Sequence, residues 1–306
     1  MPWPRDPLDG APEEQAQHLQ RFRASHPPSE LDIAGVRWEY IACGSGAAAM
    51  LLLPGGLRCA ESAFPYIELF EPAFRVITPT YPPLQTVEEV VDGAVAVLDA
   101  ERVPEAFVLG QSYGGMVAQV LVCRHPSRVR KLVLSSSGPL LASPRQARVL
   151  RVLLALATRL PERLVMDWWR RSLLAILSVP AAERDFWTTY VRELASQRLT
   201  KADVLSHFLT GRDALARYGF DRQSAVPWGG DVLIIGGEKD PVSDAGDRRA
   251  MAAFYPRARV QVIPGAGHTV AMTDPAEYAA AVTAFLEEDS GAPLPCPQPG
   301  QQDRAH

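Results

Sequence analysis

Along the chain, short apolar runs alternate with longer amphipathic stretches. Val36, Trp38, Tyr40 and Ile41 form a β-type run, Gly44-Ser45-Gly46 a turn, and residues 48–53 a buried strand. Residues 75–78, 106–109 and 131–134 read as further short strands. Residues 87–98 and 114–125 carry helical periodicity. Strands alternating with helices imply crossover units and a parallel sheet.

The rhythm breaks near Leu140. Residues 141–222 contain no convincing strand and read as several helices. Leu150, Leu153, Leu154 and Ala157 share one helical face, as do Trp168, Ser172, Ala175 and Ile176. After Pro227 strands return at residues 231–235 and 260–263, and a last helix is expected over residues 275–287. Residues 1–30 read as a Pro-rich surface arm. Its one helix, over residues 12–23, is opened by Pro12, Glu13 and Glu14 and ended by Pro27-Pro28. The expected organisation is an arm (1–30), an α/β core (31–140 and 223–288), a helical insertion (141–222) and a disordered Pro-, Gln- and Gly-rich tail (289–306).

Composition narrows the function classes. The 306 residues are 47% hydrophobic and 22% charged, an ordinary globular balance. Lys and Arg number 31 against 35 Asp and Glu, a net charge of -4, so no basic excess is present to neutralise a nucleic-acid backbone. The longest apolar runs, such as residues 47–53, fall well short of the ~20 residues that span a bilayer, so no integral membrane segment is expected. The N-terminus shows no apolar signal region, and a cytoplasmic location is the expectation. Cys43, Cys59, Cys123 and Cys296 are scattered without a CxxC pair, which suggests neither a zinc site nor a disulfide framework. Residues 141–222 hold 14 Lys/Arg against 8 Asp/Glu, a local excess in an acidic protein. A solvated face is the first reading of it; attraction of anionic substrates or of an anionic membrane surface is the second. Residues 145–160 are apolar enough to act as a mobile lid.

The sharpest local signal is Gly110-Gln111-Ser112-Tyr113-Gly114, set between a strand pattern and a helix pattern. A tight strand-to-helix turn holds such a serine in a strained conformation, and small residues on either side let the neighbouring backbone approach. The hydroxyl then stands at a helix N-terminus, where backbone N–H groups favour developing negative charge. This makes Ser112 the candidate nucleophile. A serine at neutral pH needs a base, and the base an orienting acid. Asp240 follows the strand at 231–235, and His268 follows the strand at 260–263 after a Gly-rich turn. In a parallel sheet these loops share the carboxyl edge, where ligands bind. Glu238 and Asp244 remain alternatives for the acid. The other histidines (His18, His26, His125, His207, His306) fall in arms, helices or the tail and lack this context. For an oxyanion, the backbone N–H of Tyr113 is one expected donor. The Pro54-Gly55-Gly56-Leu57 loop supplies the second, from Gly56 with Leu57 as runner-up.

Together these residues resemble the α/β-hydrolase superfamily, in its serine-nucleophile branch with a helical cap, over residues 31–288. The resemblance implies a mostly parallel central sheet flanked by helices, with residues 141–222 as cap. It also implies a triad of Ser112, Asp240 and His268. Two departures stand out. Pro54-Gly55 occupies the place of the His-Gly many members carry, and residues 78–83 run almost directly into a helix where many have an Asp-x-x-Gly-x-Gly loop. That shortened connection resembles the maspardin-like branch, some of whose members are non-catalytic. A serine at position 112 is unlike the aspartate of haloalkane dehalogenases and epoxide hydrolases. It fits esterases, lipases, lactonases, C–C hydrolases, perhydrolases and acyltransferases. The expectation is a serine hydrolase of carboxylesterase type acting on a small-molecule ester or acyl substrate, without cofactor or metal. Trp168 and Trp187 of the insertion and Met116 after the turn are candidates to touch substrate. The oligomeric state is not specified.

Overall fold

The computed structural model describes residue 8, residues 10–141, 144–219, residue 226 and residues 228–288, with backbone alone at 144–147. The expected disorder of residues 289–306 lies outside the described residues. Helix α1 (Glu13–Ser25) leads into a hairpin of β1 (Ser29–Ile33) and β2 (Val36–Cys43). Ala34 and Gly35 turn it, both at positive φ (52° and 81°), as a two-residue turn matched to strand twist requires. The chain continues through β3 (Ala49–Leu53), a 3-10 turn (Ala60–Ala63), α2 (Phe64–Phe70), β4 (Arg75–Thr80), α3 (Val87–Ala100), β5 (Ala106–Gln111), α4 (Tyr113–Arg124) and β6 (Val129–Ser135). Four helices follow: α5 (Pro144–Arg159), α6 (Glu162–Ile176), α7 (Arg184–Gln197) and α8 (Lys201–Tyr218). The alternation resumes with β7 (Val232–Gly237), α9 (Ala245–Phe254), β8 (Ala258–Ile263), α10 (Val270–Thr273) and α11 (Pro275–Glu287).

The sequence pattern did not reveal β1, α2, α9 or α10. β1 is an edge strand with no fully buried residue, so it lacks a core face to read, and its Ser29 and Glu30 belong to the sheet although they were expected in the arm. α2 and α10 are only 7 and 4 residues long, too short to show a helical period.

The sheet runs β1-β2-β4-β3-β5-β6-β7-β8. β2 pairs antiparallel with both β1 and β4, and every pairing from β4 to β8 is parallel. Alternation sends Met50, Leu52, Leu109 and Val133 to one core, under α1, α2 and α11. Leu51, Leu53, Val108 and Leu134 go to the other, under α3 and α4. Register then decides where the loops emerge. Leu53 lies opposite Gly110, Gln111 opposite Ser135, Ser135 opposite Ile235, and Gly237 opposite Ile263. The loops beginning at residues 54, 112, 136, 238 and 264 therefore leave one edge side by side.

The N-terminal helix is tied in by charge. Arg23 Nη2 reaches Glu61 Oε1 at 2.6 Å and Glu193 Oε2 at 2.9 Å, joining α1 to the 3-10 turn and to α7. Glu61 is fully buried. Burial pushes its carboxyl up and Arg23 pulls it back down, without full compensation. Removing Arg23 strands that carboxylate. Arg23→Met is expected to lose about 3–5 kcal/mol in urea unfolding, and Arg23→Met/Glu61→Leu to regain most of it. A single variant as stable as the wild type would refute the assignment.

Candidate active site

Ser112 occupies the one-residue hinge between β5 and α4. Its backbone lies at φ 52°, ψ -113°, a region that non-glycine residues rarely enter. Packing on both sides holds it there. A Cβ at Gly110 would stand 2.4 Å from the Gly114 carbonyl oxygen, and one at Gly114 would stand 2.0 Å from the Leu53 carbonyl oxygen. Neither position admits a side chain without moving backbone. The Ser112 N–H donates to the Ser135 carbonyl at 2.8 Å, anchoring the turn to β6.

His268 stands over the serine from the loop after β8. Its Nε2 is 2.9 Å from Ser112 Oγ, and its Nδ1 is 2.9 Å from Asp240 Oδ1. Asp240 Oδ1 also accepts the backbone N–H groups of Val242 (2.9 Å) and Ser243 (3.2 Å). Burial alone would raise the Asp240 carboxyl. The hydrogen bond and charge of His268, with the two backbone donors, outweigh it and hold the group below the ordinary carboxylate range. The alternatives for the acid point elsewhere. Glu238 accepts from Gly265 N–H at 2.9 Å, and Asp244 caps α9 through Gly246 and Asp247 N–H. Arg248, which the sequence reading did not single out, braces the Asp240 loop. It is buried and donates through Nη1 to the carbonyls of Ser243 (2.6 Å) and Gly237 (3.2 Å).

Two clefts meet at Ser112. One, of about 730 Å³, is lined by Gly56, Leu57, Trp187, Tyr190, His268 and Met272 among others, and is mainly apolar. The other, of about 780 Å³, is lined by Tyr113, Met116, Leu140, Leu150, His207 and Phe208 among others. Gly56, Leu57, Tyr113, Met116 and Trp187 thus all border the serine's surroundings. Trp168 does not: it is 48% exposed on the outer face of α6, and its neighbour Trp169 turns inward instead. A Cβ at Gly56 would lie 3.4 Å from the Trp169 ring. Consecutive helical residues point about 100° apart, so a one-residue displacement exchanges an outer for an inner position.

The residues most difficult to find from sequence are His207 and Arg58. Arg58 is buried, and its guanidinium lies 5.7 Å from the Tyr81 ring centre and 5.3 Å from that of Tyr113. Its Nη2 donates to the Pro82 carbonyl and to Ser206 Oγ on α8, both at 3.0 Å. The short connection at residues 81–86 is therefore built into the support of the turn, with Tyr81 buried against Tyr113 at 5.6 Å. His207 stacks on Tyr113 at 4.4 Å and meets Trp169 edge-on at 4.8 Å. Burial, reinforced by the Arg58 cation, pushes its imidazole down to about 3, so the ring is neutral at physiological pH. Its position in α8 gave no local motif. Only the return of α8 across Tyr113, fastened by Tyr113 Oη to Thr210 Oγ1 at 2.8 Å, brings it to the cleft. On the other side, Ser178 after α6 ties the inserted helices to the His268 loop. Its N–H donates to Thr269 Oγ1 at 2.9 Å, and its carbonyl accepts from Thr273 Oγ1 at 3.0 Å.

Residues 49–275 match the family model for the alpha/beta hydrolase fold, and the chain belongs to that family. A 2-hydroxymuconate semialdehyde hydrolase of Pseudomonas sp. (strain CF600) is 26% identical over 215 residues, 67% of this chain and 70% of the relative. A pimeloyl-[acyl-carrier protein] methyl ester esterase of Yersinia enterocolitica is 26% identical over 260 residues, 81% of this chain and 96% of the relative. The solved structure of a hydrolase from Pseudomonas aeruginosa PA01 superposes with a TM-score of 0.70 at 22% identity, covering 85% of this chain and 98% of that one. The architecture is accordingly the α/β-hydrolase fold, with an eight-stranded, mostly parallel sheet flanked by helices. No helix among the described residues is long and apolar enough to cross a membrane.

The neutral, half-buried His207 makes a pH prediction. Its folded value lies below the unfolded value near 6.5, so the unfolded chain takes the proton first and stability falls as pH drops from about 6.5 toward 3. Wild type is expected to lose stability relative to His207→Phe across that window, measured by denaturant unfolding at several pH values. A difference that stays constant with pH would contradict the neutral ring.

Proposed function

We propose that this protein is a cofactor-independent serine hydrolase that cleaves a carboxylic ester or a related acyl bond of a small molecule. The unbroken series Asp240–His268–Ser112, each link 2.9 Å, ending on a serine at φ 52°, is the observation that carries this reading. His268 Nε2 takes the Ser112 proton while the oxygen attacks the substrate carbonyl. The backbone N–H groups of Tyr113 and Gly56, with Leu57 as the neighbouring donor, meet the oxyanion. Protonated His268 then delivers its proton to the leaving alkoxide. A water deprotonated by His268 attacks the acyl carbon, the bond to Ser112 Oγ breaks, and His268 returns its proton to that oxygen. Asp240 holds the imidazole in the tautomer with Nδ1–H toward the carboxylate and stabilises its positive form. A cleft on each side of the serine suits a substrate with an acyl arm and a leaving group. The apolar lining beside Trp187 and Tyr190 favours an acyl chain there.

The likeness to a methyl ester esterase supports the ester. The second reading retains the three residues and changes the substrate: the likeness to a semialdehyde hydrolase supports a substrate of that kind. The maspardin-like short loop and the Pro54-Gly55 in place of His-Gly are the features that favour a non-catalytic binding protein. The engagement of Tyr81 with Arg58 and Tyr113 argues that this loop supports the turn.

A series of p-nitrophenyl esters from acetate to laurate tests the proposal. Ser112→Ala is expected to lower kcat by at least about 10⁴-fold, and Asp240→Asn by about 10⁴-fold with little change in KM. The wild type is expected to form a fluorophosphonate adduct at Ser112. No adduct together with no hydrolysis would instead make the protein a binding member of the family, and hydrolysis that survives Ser112→Ala would place the chemistry on another residue.

A further inference from the structure

Among the described residues, ten large apolar side chains are exposed, and seven of them fall between Val149 and Trp168. Val149, Val152, Leu153, Leu156 and Leu160 stand 44–55% exposed. The helical period gathers them into an arc of about 100° on α5. Leu160 still follows the helix, its N–H donating to the Leu156 carbonyl at 3.2 Å. The opposite face of α5 is occupied: Leu154 is buried and Leu150 lines the cleft that contains Ser112. An apolar face this concentrated is unusual for a surface in water and marks a site of contact.

The charge on the helix selects the partner. α5 holds four arginines and no Asp or Glu. Arg148 and Arg159 are exposed, lie within about 40° of the apolar arc, and make no ion pair among the described residues. A two-fold contact between copies of the chain would bring these arginines against their own kind without a carboxylate on the helix. An anionic lipid surface supplies both an apolar interior for the leucines and negative headgroups for the arginines. Trp168, half-exposed on α6, adds an aromatic ring suited to the interfacial layer, and it lies 5.7 Å from Phe208, which lines the same cleft as Leu150.

We infer that α5, with the exposed edge of α6, docks the protein on anionic bilayers with the Ser112 cleft beside the surface. The inference does not depend on the reaction proposed above. The test is co-sedimentation of the full chain with vesicles of non-hydrolysable dialkyl phosphatidylcholine, alone or with about 30 mol% dialkyl phosphatidylglycerol, at about 0.1 M salt. Binding is expected to be at least about tenfold stronger on the anionic vesicles. Leu153→Glu/Leu156→Glu is expected to abolish it, and Arg148→Ala/Arg159→Ala to weaken it about 25-fold, fivefold for each of two side chains. Both variants are expected to keep the wild-type melting temperature and the wild-type rate on a soluble ester, which separates failed docking from failed chemistry. Three results would overturn the inference: equal binding to neutral vesicles, binding that survives both variants, or no vesicle binding, which together with a concentration-dependent dimer in light scattering that the leucine variant dissolves would assign the face to a second copy.

Discussion

The backbone of Ser112 is held at positive φ because β5 and α4 are packed too closely for the chain to turn in any other way. Gly110 and Gly114 let strand, helix and the Leu53 carbonyl come within contact, and the Ser112 N–H bond to β6 closes the arrangement. The strain is of the order of 1–3 kcal/mol and persists because neighbouring packing over-determines it. Everything else in the site is arranged around that point. Parallel register brings the loops after β7 and β8 to the same edge, and the insertion closes over them.

The second layer of the site is built mainly from groups with no local motif. Arg58 and Tyr81 support Tyr113 from behind, His207 covers its ring, and Arg248 fixes the loop that presents Asp240. A buried arginine against aromatic faces gives up water for ring quadrupoles and a few carbonyls, so it is useful only where rigidity matters more than stability. The ties from Ser178 to the His268 loop and from Thr210 to Tyr113 connect the inserted helices to both sides of the serine. Movement of those helices would be felt at the proposed base and at the proposed oxyanion donor together.

The insertion shows opposite chemistry on its two faces. Inward, Trp187 and Leu150 line the two clefts, and Trp169 is buried among the inserted helices against Gly56. Outward, the stripe on α5 leaves leucines and valines in water beside Arg148 and Arg159, which make no ion pair among the described residues. The local positive charge visible in the sequence is therefore arranged as the edge of an apolar face, which a count of residues cannot distinguish from a solvated one.

The alternation of strands and helices, the point at which the helices are inserted, and the candidates Ser112 and His268 with Asp240, Glu238 and Asp244 beside them are legible in the chain alone. These are readable because strand periodicity, turn glycines and motif spacing are local properties of the chain. It also named Gly56, Leu57, Tyr113, Met116 and Trp187 near the serine, since each is within a few residues of a readable turn or on an apolar helix face. The folded chain turned Trp168 outward and Trp169 inward, set Asp240 apart from Glu238 and Asp244, and brought His207 and Arg58 to Tyr113. Those outcomes depend on helix phase and on contacts such as Arg58 to Ser206, 148 residues apart, for which no short stretch of sequence carries a signal.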